Sequence, residues 1–144
     1  MLLYLDTCCL NRPFDNQTQP RVFLETEAVL AILGRITSGE WRLACSAVLL
    51  YEVSRIADQT RRQGIRNLLG YAEPAQPLTT GIELRAGQLC AAGFKQMDAL
   101  HIASAEELKT DAFLSTDDRL VTRAQTVHLS IPVSNPIIFN TTHP

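Results

Sequence analysis

Four acidic positions break the apolar segments of this chain, and any fold it adopts has to accommodate them. Asp6 ends the run Met1-Leu2-Leu3-Tyr4-Leu5, and Glu52 follows Ala47-Val48-Leu49-Leu50-Tyr51. Asp98 opens Ala99-Leu100-His101-Ile102-Ala103, and the pair Asp117-Asp118 follows Ala112-Phe113-Leu114-Ser115-Thr116. A buried carboxylate is strongly disfavoured unless it is paired or binds a cation. Acids placed this way predict one shared site. An oxygen-only acidic site favours Mg²⁺ or Mn²⁺.

The segments between the acids alternate between strand and helix. Residues 2–5 read as a fully apolar strand, and Trp41–Cys45 as a second. Ala112–Ser115 reads as a third. Apolar positions Val22, Val29, Leu30, Leu33 and Ile36 recur at helical spacing, and Ser38-Gly39 stops that helix. Ser46 is a fitting N-cap for a helix to about residue 57. Residues 59–72 read as a helix that ends before Pro74 and Pro77. Thr80-Gly81-Ile82-Glu83 fits a capping box for a helix running to about Ala92. Met97–Lys109 and about Asp118–Ala124 read as two more helices. Asn11–Asn16 reads as a loop, and the tail with Pro132 and Pro136 as added edge strands. This alternation predicts an α/β sandwich with a mainly parallel sheet, one domain over residues 1–144. In such folds the site lies beyond the carboxyl ends of the strands. Asp6 and Asp117-Asp118 follow strands, and the helices bearing Glu52 and Asp98 can pack over the same edge.

Composition narrows the function. With 46% hydrophobic and 19% charged residues, the chain is neither a disordered tail nor a membrane protein. No basic stretch precedes the first apolar run, so a cytoplasmic location is expected. A net charge of −2 argues against gripping nucleic acid by bulk charge alone. It leaves a nuclease open, because bound cations reverse the field at an acidic site. Cys8, Cys9, Cys45 and Cys90 form no C-x-x-C pair. They read as small buried apolar side chains in a reducing compartment, with a redox switch at Cys8-Cys9 as the alternative.

Two carboxylates about 4 Å apart repel by roughly 4 kcal/mol at an effective dielectric of 20. Converging acids therefore take up protons or hold a cation. A held divalent cation suits phosphodiester hydrolysis without a covalent nucleophile.

The residues that carry this chemistry resemble those of the PIN-domain family of metal-dependent ribonucleases. Many members are toxins of VapBC-type toxin–antitoxin pairs. The resemblance lies in Leu5-Asp6-Thr7 with Leu10, then Ser46…Glu52. It continues with Asp98-Ala99-Leu100-His101-Ile102-Ala103 and Leu114-Ser115-Thr116-Asp117-Asp118. It implies a PIN-like α/β/α sandwich and an RNA substrate. It also implies a Mg²⁺ or Mn²⁺ cofactor held by Asp6, Glu52, Asp98 and Asp118. The T-x-D pattern puts the fourth acid at Asp118 and leaves Asp117 as a capping or solvent-facing neighbour. Thr7 resembles the hydroxyl that orients Asp6 or the substrate phosphate, and Thr116 a similar one that also caps the next helix. An antitoxin partner and a homodimer follow from the same resemblance.

Each residue also has a plainer reading. Glu52 can pair with Arg55, Asp98 and Asp118 can be first-turn helix acids, and Asp6 can begin a turn. His101 reads as a hydrogen-bonded core residue rather than a ligand. Asn11, Arg12, Arg61, Arg62, Arg66, Lys95, Arg119 and Arg123 are candidate phosphate contacts or solvated charges. Asp15 reads as a turn residue. A haloacid dehalogenase-type phosphatase needs a second aspartate two residues after the first, and Cys8 stands there. An inactive PIN-like RNA- or protein-binding module is the remaining alternative.

Overall fold

The computed structural model describes residues 1–144. The first apolar run forms β1 (Leu2–Leu5), with Leu3, Tyr4 and Leu5 fully buried. Successive strand side chains point to opposite faces, so both faces of β1 are covered. Its neighbours are β2 (Arg42–Leu43) and β3 (Ala112–Leu114), and β3 pairs with β4 (Val133–Ser134). The sheet order is β2-β1-β3-β4 and every pairing is parallel. This is the mainly parallel α/β sheet the sequence predicts.

Eight helices connect and cover these strands: α1 (Thr7–Asn11), α2 (Pro20–Thr37), α3 (Ala47–Ser54), α4 (Gln59–Leu69), α5 (Thr80–Ala91), α6 (Gln96–Glu107), α7 (Asp118–Ala124) and α8 (Pro136–Thr142). One hydrophobic core joins residues from Leu3 to Phe139. Tyr4 and Phe113, partners across β1 and β3, stack with ring centroids 5.2 Å apart. None of the helices is long and apolar enough to cross a membrane.

Four local features depart from the expectation. Asn11 closes a short helix, and Arg12–Phe14 makes one 3-10 turn where the sequence reads as a loop. Five residues are too few to show a helical period. The N-cap of α5 is Thr79, one residue before the expected box, and its hydroxyl accepts from Ile82 N at 3.2 Å. The tail does add the edge strand β4, but Pro136 starts a helix. Asn135 caps it by accepting from Ile137 N at 2.8 Å, and proline suits the first helical position. Cys90 is exposed rather than buried.

Candidate functional site

Parallel strands put their carboxyl ends on one edge, and the acids gather there. Asp6 leaves β1 as the N-cap of α1, and its Oδ1 accepts from Thr7 N at 2.8 Å. Its Oδ2 accepts from the Ser115 hydroxyl at 3.0 Å. Ser115 also accepts from Asp117 N at 3.1 Å, so one hydroxyl ties the ends of β1 and β3 together. Glu52 reaches in from the last turn of α3 and Asp98 from the first turn of α6. Together with Thr7, Cys8, Asn11 and Asp117 they line a cleft of about 380 Å³.

The fourth acid of the cleft is Asp117, not Asp118. Asp118 is 69% exposed, and both its oxygens accept from Arg21, at 2.6 and 2.7 Å. The reason is the cap of α7. Asp117 Oδ1 accepts from Arg119 N at 2.9 Å and Leu120 N at 3.3 Å. That holds residue 117 over the strand end and rotates residue 118 outward. Thr116 therefore does not cap α7. Its N–H donates to Cys8 Sγ at 3.3 Å and its carbonyl accepts from Arg21 at 3.2 Å. The hydroxyl on Asp6 is that of Ser115, whereas Thr7 supplies a backbone N–H. Thr7 Oγ1 faces Glu52, buried and without a hydrogen bond of good geometry.

None of Asp6, Glu52, Asp98 and Asp117 has a lysine or arginine within ion-pair distance. Glu25 shows what a structural buried acid looks like here. It is fully buried on α2, with Arg12 at 3.1 Å, Arg21 at 3.4 Å and Asn135 Nδ2 donating at 2.6 Å. The partner of Glu52 is His101, at 3.0 Å, rather than Arg55. Arg12 and Arg61 are engaged inside the fold. Arg12 pairs with Asp15 at 2.9 Å as well as with Glu25, and Arg61 pairs with Asp15 at 2.6 Å and donates to Asn11 Oδ1 at 3.0 Å. This takes them out of the set of phosphate candidates.

A family model of the PIN domain matches residues 3–125. The chain belongs to the PIN-domain family. Solved structures share its fold. FitAcB from Neisseria gonorrhoeae has a TM-score of 0.61 at 18% identity, covering 94% of this chain and 98% of that one. VapBC-1 from nontypeable Haemophilus influenzae has a TM-score of 0.59 at 16% identity with the same coverage. VapBC2 from Rickettsia felis, bound to a DNA fragment from its promoter, has a TM-score of 0.58 at 13% identity, again over 94% and 98%. No curated protein matches the sequence. PIN domains are generally nucleases and depend on divalent metal.

The cleft of this PIN domain suits such a cation. Asp6 and Glu52 offer carboxylate oxygens within 4.8 Å of each other, with His101 Nε2 beside both, 4.0 Å from Asp6 and 3.0 Å from Glu52. Burial pushes the Asp6 carboxyl up, with Glu52 adding to the rise and His101 and Ser115 restraining it. Burial pushes Asp98 up to about 6, with help from the charges of Asp6 and Asp117. Burial is the largest influence on Glu52 and opposes its ionisation, but His101 and Thr7 together outweigh it and hold Glu52 below the usual carboxylate range. An ionised Glu52 can only accept, so His101 Nε2 carries the proton between them. That nitrogen is then no ligand. His101 instead positions Glu52, and its Nδ1 lies 2.7 Å from Tyr4 Oη, which lies 2.6 Å from Ser46 Oγ. The sequence places His101 in the core but does not show the link to Glu52.

These shifts set a pH dependence. The folded chain binds the Asp98 proton more tightly than the unfolded chain does, at about 6 against an ordinary 3.8. That stabilisation is complete below the unfolded value and is lost as pH rises through about 6. Asp6 and His101, both raised, act in the same direction. Glu52 acts oppositely, and its contribution is lost as pH falls below 4.5. Metal-free protein in EDTA is therefore expected to resist urea better at about pH 5.5 than at about pH 7.5. Asp98→Asn should shrink that difference, and an unchanged difference would remove Asp98 as its source.

Proposed function

We propose that this PIN domain is a metal-dependent endoribonuclease and the toxin of a toxin–antitoxin pair. The observation that carries the reading is four carboxylates in one cleft, none of them ion-paired to a lysine or arginine. Asp6, Glu52, Asp98 and Asp117 would hold a Mg²⁺ or Mn²⁺ ion. When bound, such an ion acidifies a water molecule and neutralises charge on a phosphoryl oxygen. The chain's own residues prepare the site. Thr7 N–H and Ser115 fix Asp6, and His101 fixes Glu52 in its ionised form. No side chain is placed as a covalent nucleophile.

The toxin reading is supported by the resemblance to VapBC-type pairs and by the VapBC and FitAcB structures that share the fold. It brings an antitoxin partner and a homodimer as expectations. The test uses purified, folded protein free of any antitoxin. Mixed cellular RNA is incubated with Mn²⁺, with EDTA, and with the Asp6→Asn variant in Mn²⁺. Cleavage by wild type alone in Mn²⁺ is the expected result. Cleavage that persists in EDTA or in the variant would remove the metal centre from the reaction. RNA retention without cleavage in any arm would favour a binding module.

A further inference from the structure

Six of the thirteen lysines and arginines are ion-paired: Arg12, Arg21, Arg35, Arg42, Arg61 and Arg85. Of the remaining seven, four border the acids. Arg55 lines the cleft itself. Lys95, Arg119 and Arg123 line an adjoining hollow of about 210 Å³, which shares Asp98 and Asp117 with the cleft. Two carboxylates are thus at hand in the hollow, yet neither forms an ion pair with any of the three cations. Lys95 and Arg119 side chains make no hydrogen bond within the chain. Arg123 is held by one, donating to the carbonyl of Ala92 at 3.2 Å. Its guanidinium lies against the backbone at Gly93, where φ is +109° and a Cβ would overlap it. Glycine at 93 therefore lets Arg123 sit there, fixed in place but still charged and open to solvent.

We infer that Lys95, Arg119 and Arg123 form a seat for a phosphate of the nucleic-acid strand next to the phosphodiester that lies at the acids. The inference rests on the nuclease reading for what occupies the cleft. Guanidinium and ammonium groups suit phosphate oxygens, and arginine offers them paired donors. A polyanion crossing a cleft of four carboxylates is repelled wherever no cation intervenes. Unpaired cations at its edge supply attraction where the strand leaves the acids. The negative overall charge is compatible with this, because only the charge near the track acts on the strand at physiological salt.

The test compares a single-stranded RNA octamer with a dinucleoside monophosphate, whose single phosphate is the scissile one. The double variant Lys95→Gln/Arg119→Gln is assayed in Mn²⁺ beside wild type. Lys109→Gln serves as control, because it lies past the far end of α6, about 16 Å along the helix from Asp98. The octamer is expected to show a KM about tenfold higher in the double variant, with a much smaller change for the dinucleotide. The slope of log KM against log salt for the octamer should fall by about 1.4, because two cations no longer neutralise phosphates of a single strand. Equal losses on both substrates, or none on either, would overturn the seat. If wild type cleaves neither RNA, the nuclease reading fails separately. Anisotropy of a labelled octamer in EDTA then decides the seat. Weaker binding with a shallower salt slope in the double variant keeps it, and identical behaviour of the two proteins, including no binding by either, overturns it.

Discussion

Asp117→Asn is expected to lower RNA cleavage in Mn²⁺ by about a hundredfold or more, and Asp118→Asn to leave it within about twofold. The two residues are adjacent, so bulk charge changes equally in both variants. They differ in where the side chain points. Asp117 lines the cleft with Asp6, Glu52 and Asp98, while Asp118 holds Arg21 at the surface. Asparagine caps a helix about as well as aspartate, so Asp117→Asn keeps the first-turn amides of α7 satisfied. Its loss of activity would thus report the carboxylate and not unfolding, and thermal melts of the two variants check this. The measurement is kcat/KM for one RNA with each variant at saturating Mn²⁺. The reverse ranking would mean that the first turn of α7 rotates when the site is filled, and would return the fourth acid to Asp118.

The choice between these neighbours shows what the sequence left open. A strand end followed by Thr-Asp-Asp fixes the region of the fourth acid to two positions. Which one faces the cleft depends on which caps α7, a matter of one residue of register. The same margin explains Thr79 against Thr80 at α5. By contrast, β1, β3 and the alternation around them were legible because Leu2–Leu5 and Ala112–Leu114 are wholly apolar and buried on both faces. Asp6, Glu52 and Asp98 were legible because each interrupts an apolar pattern. Ser115 was missed as the hydroxyl on Asp6 because it sits beside Thr116 and both are chemically able. Glu25 stands out in no sequence pattern because its three partners, Arg12, Arg21 and Asn135, come from places in the chain that only the fold unites. The signal that separates it from the cleft acids is pairing, which no spacing in the sequence reports.

His101→Leu is expected to weaken Mn²⁺ binding by about tenfold or more and to lower kcat/KM by a similar factor. His101 sits one turn after Asp98, almost fully buried, and bridges Glu52 and Tyr4. Leucine fills much of the same space but can make neither hydrogen bond. Glu52 then loses the donor that keeps it ionised and oriented. Tyr4 Oη retains only Ser46, deep in the core, and a buried group losing one partner costs about 1–3 kcal/mol of stability. Stability alone would not identify the role, since a purely structural histidine predicts the same cost. The separating measurement is Mn²⁺ titration followed by calorimetry, well below the melting temperature of the variant. Affinity and kcat/KM equal to wild type there would make His101 a packing residue only. Tyr4→Phe adds the graded case. It removes one hydroxyl, keeps the ring stacked on Phe113 and leaves the bond between His101 and Glu52 in place. A smaller loss in the same direction is expected, because the imidazole is then held from one side instead of two.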